Sequence, residues 1–293
     1  VYTYLHFVVY IKKQTSFIFV LCYLLFLNDA IAGGPWTPGK NKGFIQTQFT
    51  LPLTYTKQLF LANGTKFNMP RKIGDYTFQL YSEIGLTNKT SFTAVLPAKY
   101  VVTKGDVINN EFLTPSGNIA GLGNIELMIK NIFYNKNLLA SGSIKIELPT
   151  GTIDTISGLY TAYPALSVIP AIHIGKGFAN NFYTFSDIGY AFRTNNYSHE
   201  IRWMYEAGKK VNNFLWIAMV IDVRLSMYNG TYYSFINEQT GMYSNNQEWF
   251  SYGFKIAYEH EEKIGLTVSG FGAAYGNLSA KTPFLNIGTY VKW

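Results

Sequence analysis

The chain has 293 residues, of which 14% are charged and 17% aromatic, including 23 Tyr and 22 Phe; a typical soluble domain carries roughly 25% charged residues, so this surface is short of charge. The net charge of +7 is modest and scattered along the chain, without the clustered basic face that nucleic-acid binding requires, and no nucleic-acid partner is expected. The lone cysteine, Cys22, falls in an N-terminal apolar run, so a chain processed beyond it has no thiol for a disulfide or a zinc–thiolate site.

Lys12-Lys13 are followed by the apolar stretch Phe17 to Leu27 and then by Asn28-Asp29-Ala30-Ile31-Ala32. This is the order of basic region, apolar region and small-residue cleavage site in a secretory signal. The apolar stretch is shorter than the roughly 20 residues of a membrane-spanning helix. Residues 1–32 are therefore expected to be a signal peptide cleaved after Ala32; losing two lysines and one aspartate with it takes the charge from +7 to +6. Leu21, before Cys22, is not the small residue that lipidation calls for. No methionine precedes Met69, so residues 1–10 read as lying upstream of the true translation start. Residues 33–42 form a short N-terminal segment.

Beyond Ala32 the longest apolar run is Phe214 to Ile221, eight residues closed off by Asp222 and Arg224. What recurs instead is period-two alternation over segments of about 10 residues, the length at which a tilted strand crosses a bilayer. The segments fall at 43–51, 75–86, 89–102, 123–134, 138–149, 165–176, 181–193, 198–208, 213–227, 247–258, 263–275 and 282–293. The expected fold is all-β, an antiparallel transmembrane β-barrel of about twelve strands over 43–293. Connections such as Asn135-Lys136-Asn137 and His260-Glu261-Glu262 are short. Those around 52–74, 103–122, 150–164 and 228–246 are long, while 194–197 and 276–281 break the trend. Short periplasmic turns alternating with long outer loops are the asymmetry of bacterial outer-membrane barrels.

Alternation also sorts side chains by face. Over 123–134, Ile125, Leu127, Ile129 and Phe133 oppose Glu126 and Lys130; over 138–149, Ile144 and Ile146 oppose Ser141, Ser143, Lys145 and Glu147. Over 198–208, Ile201, Trp203 and Tyr205 oppose Glu200, Arg202 and Glu206. Periodicity alone suits a soluble sandwich with charges outward as well as a membrane barrel with charges in its lumen. The leader, the loop asymmetry and the C-terminus favour the barrel. At that C-terminus Asn286, Gly288, Val291 and Trp293 follow the polar, glycine, apolar, terminal-aromatic spacing that resembles the signal read by the barrel-assembly machinery.

Gly121-Leu122-Gly123-Asn124-Ile125-Glu126-Leu127 and Gly142-Ser143-Ile144-Lys145-Ile146-Glu147-Leu148-Pro149-Thr150-Gly151 resemble the barrel family named for the meta-pathway of phenol degradation. Gly34-Pro35-Trp36 through Gly43-Phe44-Ile45-Gln46 is similar to the opening of such barrels in Bacteroidota. The likeness covers most of 34–293, with its sharp residues at about 121–151. It implies an outer-membrane porin or transporter, some members being linked with uptake of aromatic or other apolar compounds, and it brings no catalytic motif.

The chemistry-bearing residues agree with a non-enzymatic reading. His173 is followed by Ile174-Gly175, His199 by Glu200-Ile201 and His260 by Glu261-Glu262, none of them the His-x-Ser arrangement that outer-membrane lipases resemble. Glu259, Glu261 and Glu262 read as a charged turn rather than a metal site, no phosphate-cradling glycine loop is present, and no cofactor is expected. Lumen and constriction residues are expected to be Glu126, Lys130, Lys145, Glu147, Glu200, Arg202, Glu206, Asp222 and Arg224. Loop contacts to ligands are expected from Tyr228, Tyr232, Tyr233, Phe235 and Tyr243. Outer-membrane lipid, the assembly machinery and small solutes, apolar or aromatic ones included, are the expected partners. The function that follows is a narrow passive channel or transporter for small molecules; the alternative is a non-conducting structural or docking subunit of an outer-membrane complex.

Overall fold

The structure, a computed structural model, describes residues 34–293 apart from 62–63, 106, 110–111 and 235–239. The expected signal peptide and Phe235 lie outside the described residues. Among the described residues no helix is long and apolar enough to cross a membrane.

Twelve strands make the wall: β1 (Gly43–Pro52), β2 (Lys66–Gly85), β3 (Thr90–Lys104), β4 (Ile125–Asn135), β5 (Leu139–Leu148), β6 (Ser167–Phe178), β7 (Phe182–Arg193), β8 (Glu200–Lys210), β9 (Leu215–Ser226), β10 (Glu248–His260), β11 (Ile264–Asn277) and β12 (Phe284–Lys292). Each pairs antiparallel with the next. The last returns to the first, from Phe44↔Lys292 to Pro52↔Phe284, and closes the ring. Closure leaves the wall without an unpaired edge, the condition for a sheet in lipid.

Eleven strands start and stop close to where alternation places them. The exception is β2, expected from 75 and observed from Lys66. Pro70 and Gly74 read as a break, because proline cannot donate to a ladder. Here the pairing partner, Thr56–Phe60, skips register between Thr56↔Ile73 and Gln58↔Asn68, and Pro70 falls inside that skip. The long connections 103–122 and 150–164 also carry short strands too brief for a periodicity to register: Asn118–Leu122 continues the pairing of β3 above β4, and Ile153–Asp154 pairs with Leu159–Tyr160. Leu59, Met69, Ile73, Val101, Ile119 and Leu159 bury one another there, giving the outer end a small apolar core of its own.

Burial decides between the two readings that periodicity leaves open. On β4, Ile129 is 55% exposed while its neighbour Lys130 is 2% exposed. Phe133, Ile144, Ile172, Ile188, Phe254 and Leu266 likewise face outward, and Glu83, Glu147, Arg193, Glu200 and Glu206 are buried inside. The wall is inverted relative to a soluble sandwich, with its apolar side outside and its ionic side enclosed.

Candidate channel lumen

The inward positions of β4, β5, β7, β8 and β9 bring six of the expected lumen residues, Glu126, Lys145, Glu147, Glu200, Arg202 and Arg224, into one ion-paired chain with Arg193, while Lys130 pairs instead with Glu83 at 3.2 Å. Arg193 pairs with Glu200, and Arg202 bonds Glu147 with both terminal nitrogens while Nη2 lies 3.2 Å from Glu200. Lys145 lies 3.0 Å from Glu126 and 3.6 Å from Glu147, and Arg224 lies 3.4 Å from Glu200. Two strands, β6 and β7, stand between β5 and β8 in the wall, so the two-point contact of Arg202 with Glu147 cuts across the hollow rather than joining neighbouring strands. Asp222 accepts from the indole of Trp249, over which the Arg224 guanidinium sits at 4.2 Å. Glu126, Lys145, Glu147, Arg202, Asp222 and Arg224 line a hollow of about 400 Å³ together with Lys130, Ser143, His173 and Asp187.

Glu206 is placed elsewhere. It holds Lys255 at 2.7 Å and accepts from the Tyr183 hydroxyl, toward the short-turn end of the barrel. There a second hollow, of about 620 Å³, has Trp36, Phe44, Phe185, Met204 and Trp293 on its apolar side and Lys42, Glu206, Lys255 and Lys263 among its ionic groups. The two hollows share Gly34, Tyr81 and Met204 as wall residues.

The segment before β1 enters this space. The Gly34 carbonyl accepts from Lys130 Nζ at 2.8 Å, Pro35 is fully buried, and the Trp36 ring meets Tyr183 and Phe185 edge-on. A Cβ on Gly34 would stand 2.7 Å from the Phe185 ring, so glycine is what lets the backbone pass. Periodicity carries no sign of this, since nothing in 33–42 alternates and the segment reads only as a short N-terminal stretch.

The outer-loop tyrosines do not gather into one set. Tyr232 stacks on Tyr197 at 4.2 Å, and the hydroxyl of Tyr243 meets Lys99 while its ring stands edge-on to Tyr163. Arg193 lies over both Tyr163 and Tyr197. Tyr228 and Tyr233 instead point outward, 57% and 66% exposed. Burial pushes the Tyr243 phenol up to about 12, with Lys99 opposing the rise and Asp75 adding to it. At the other terminus, Asn286 donates to Ser269, Gly288 lets the Thr47 carbonyl approach, Val291 lies on the exposed face, and Trp293, though half exposed, borders the second hollow.

No family model matches the sequence, and no curated protein does. The solved structures do match. An outer membrane channel from Pseudomonas putida F1 aligns with TM-score 0.70 at 12% identity, over 90% of this chain and 100% of that one. The two share a closed antiparallel β-barrel fold. The KdgM porin, solved in complex with disordered oligogalacturonate, aligns with TM-score 0.51 at 5% identity over 85% and 99% of the two chains. The NanC porin gives TM-score 0.51 at 8% identity over 86% and 100%. At such identities the likeness of this barrel to the others is one of fold.

Proposed function

We propose that the protein is a narrow passive channel for small molecules in the bacterial outer membrane. The observation that carries this reading is the pair of abutting hollows, about 400 and 620 Å³, inside a barrel whose outer face is apolar. The fold shared with an outer membrane channel and two porins supports it. A barrel serving only as a docking subunit has no need of such space, and a structural role finds no support among these neighbours.

In this reading Glu126, Lys130, Lys145, Glu147, Glu200, Arg202, Asp222 and Arg224 set the field of the upper hollow, and Glu206 with Lys255 that of the lower one. Both signs alternate around the wall, so the passage discriminates by size and dipole more than by net charge. The apolar side of the lower hollow suits solutes with an aromatic or aliphatic part, in keeping with the resemblance to the phenol meta-pathway barrels of Bacteroidota. Tyr228 and Tyr233, exposed at the outer loops, are the first groups such a solute meets. Asn286, Gly288, Val291 and Trp293 serve recognition by the assembly machinery, and lipid surrounds the apolar belt. Liposome swelling and planar-bilayer recording on the purified protein test the proposal: small steady conductance and flux of small solutes are expected, and a barrel that passes neither ions nor solutes ends it.

A further inference from the structure

Three polar side chains on adjacent strands of the upper hollow stand in a sequence of contacts that the channel reading does not use. Ser143 Oγ on β5 lies 2.8 Å from His173 Nε2 on β6, and His173 Nδ1 lies 2.9 Å from Asp187 Oδ1 on β7. His173 and Asp187 are direct cross-strand partners, and Ser143 is diagonal to His173, opposite Ala171. All three line the same hollow, with Ser143 and His173 each 7% exposed. A hydroxyl on one imidazole nitrogen and a carboxylate at the other is the arrangement that turns a weak nucleophile into an active one.

We propose that Ser143 and His173 are the nucleophile and general base of a hydrolytic site for small carboxylic esters inside the barrel, with Asp187 as the positioning residue. The ion-pair distance between His173 and Asp187 is short, but the two atoms are not aligned as a hydrogen bond; catalytic pairs commonly stand this loosely before substrate arrives. The site also needs a donor for the oxyanion. Lys130 is the cross-strand partner of Ser143, and its ammonium already holds a carbonyl oxygen, that of Gly34, at 2.8 Å. That ammonium is shared with the buried Glu83 carboxylate at 3.2 Å, which holds it in place, so an ester whose carbonyl takes the place of Gly34 meets a fixed N–H donor in an enclosed site, where such a donor is worth most.

The chemistry balances with water as co-reactant. Ser143 Oγ bonds to the acyl carbon, its proton passes to His173 Nε2, and the alkoxy C–O bond breaks as the leaving oxygen takes that proton and departs as an alcohol. Water then adds to the acyl carbon, gives its proton to Nε2, and the C–Oγ bond breaks to release the acid and restore the serine hydroxyl. No electrons are exchanged with any other group. The proposal shares with the channel reading only the need for solute to reach the upper hollow, and it is read out without any conductance.

The experiment uses the full chain purified in detergent, a fluorophosphonate probe and p-nitrophenyl acetate. Covalent labelling that maps to Ser143 is expected. Ser143→Ala and His173→Ala should abolish it and slow turnover by about 100-fold or more. Ser141→Ala, which removes the neighbouring buried hydroxyl opposite His173, should leave both unchanged. Asp187→Asn should lower the rates of labelling and turnover while the barrel still forms, and Asp187→Glu, which returns the carboxylate, should restore part of both. Wild-type protein that takes no label, or label and turnover that survive Ser143→Ala, overturns the proposal. Should Ser143→Ala fail to form a barrel, judged by heat-modifiable electrophoretic mobility, the mapped position of label on the wild-type chain decides: Ser143 upholds the site and any other residue overturns it.

Discussion

Arg202 concentrates the electrostatics of the lumen in one side chain. It meets Glu147 at two points and Glu200 at a third, and both carboxylates are almost fully enclosed. Removing one partner of an enclosed ion pair costs about 3–5 kcal/mol because the other charge stays behind. Arg202→Ala is therefore expected to lower the urea midpoint and, since the contact spans the hollow, to raise unitary conductance while shifting selectivity toward cations; bilayer recording with a salt gradient measures both. Tyr243 gives a second check at this scale. Its pKa of about 12, against an ordinary 10.0, means that the folded chain keeps a proton the unfolded chain has lost, so this residue's contribution is complete below pH 10 and fades between about 10 and 12. The difference in ultraviolet tyrosine absorbance between wild type and Tyr243→Phe should accordingly develop near pH 12 rather than near 10. That Glu126, Glu147, Glu200 and Arg202 face inward is legible from alternation, since neighbours on a strand take opposite faces. Which of them touch is not, because a contact between β8 and β5 depends on barrel diameter and register.

At the scale of strands and turns, the short connections explain why the barrel folds back where it does. Asn180 and Asn181 carry φ of 60° and 58°, and asparagine tolerates the left-handed region well. Glu261 and Glu262 do the same work at 49° and 57°, in a turn closed by Lys263 N–H to the His260 carbonyl at 3.0 Å. Two successive positive φ values make this a type I′ turn, for which Asn-Gly is the favoured pair. Left-handed backbone costs an ordinary residue roughly 1–2 kcal/mol, and the surface pair Lys210–Glu262 returns little of that. Replacing Glu261-Glu262 by Asn-Gly is expected to raise the urea midpoint of the refolded barrel, by roughly 1 kcal/mol or more in stability. The ends of eleven strands were readable because ten-residue alternation is a strong signal. The early start of β2 and the strand Asn118–Leu122 were hidden because Pro70, Gly121 and Gly123 punctuate them, and only pairing with a neighbour makes them strands.

For the whole molecule, the governing fact is where apolar surface lies relative to the closed ring. Ile129, Phe133 and Phe254 are among the most exposed apolar side chains of the wall, the face that a membrane barrel turns to lipid. Inside, Trp36 takes up space in the wall of the lower hollow by leaning on Tyr183 and Phe185. Trp36→Ala is expected to raise conductance and speed liposome swelling while membrane fractionation stays unchanged; a variant conducting like the wild type would place the restriction elsewhere. What the sequence by itself determined is the number of strands, their approximate ends and which residues share a face, because side-chain period and strand length are local properties. Only the tertiary structure decided that the apolar face is outside, that Arg202 crosses to Glu147, that Gly34 to Trp36 occupy the lumen, and that Ser143, His173 and Asp187 meet. Those follow from closing twelve strands into one ring, which brings together positions that no local pattern relates.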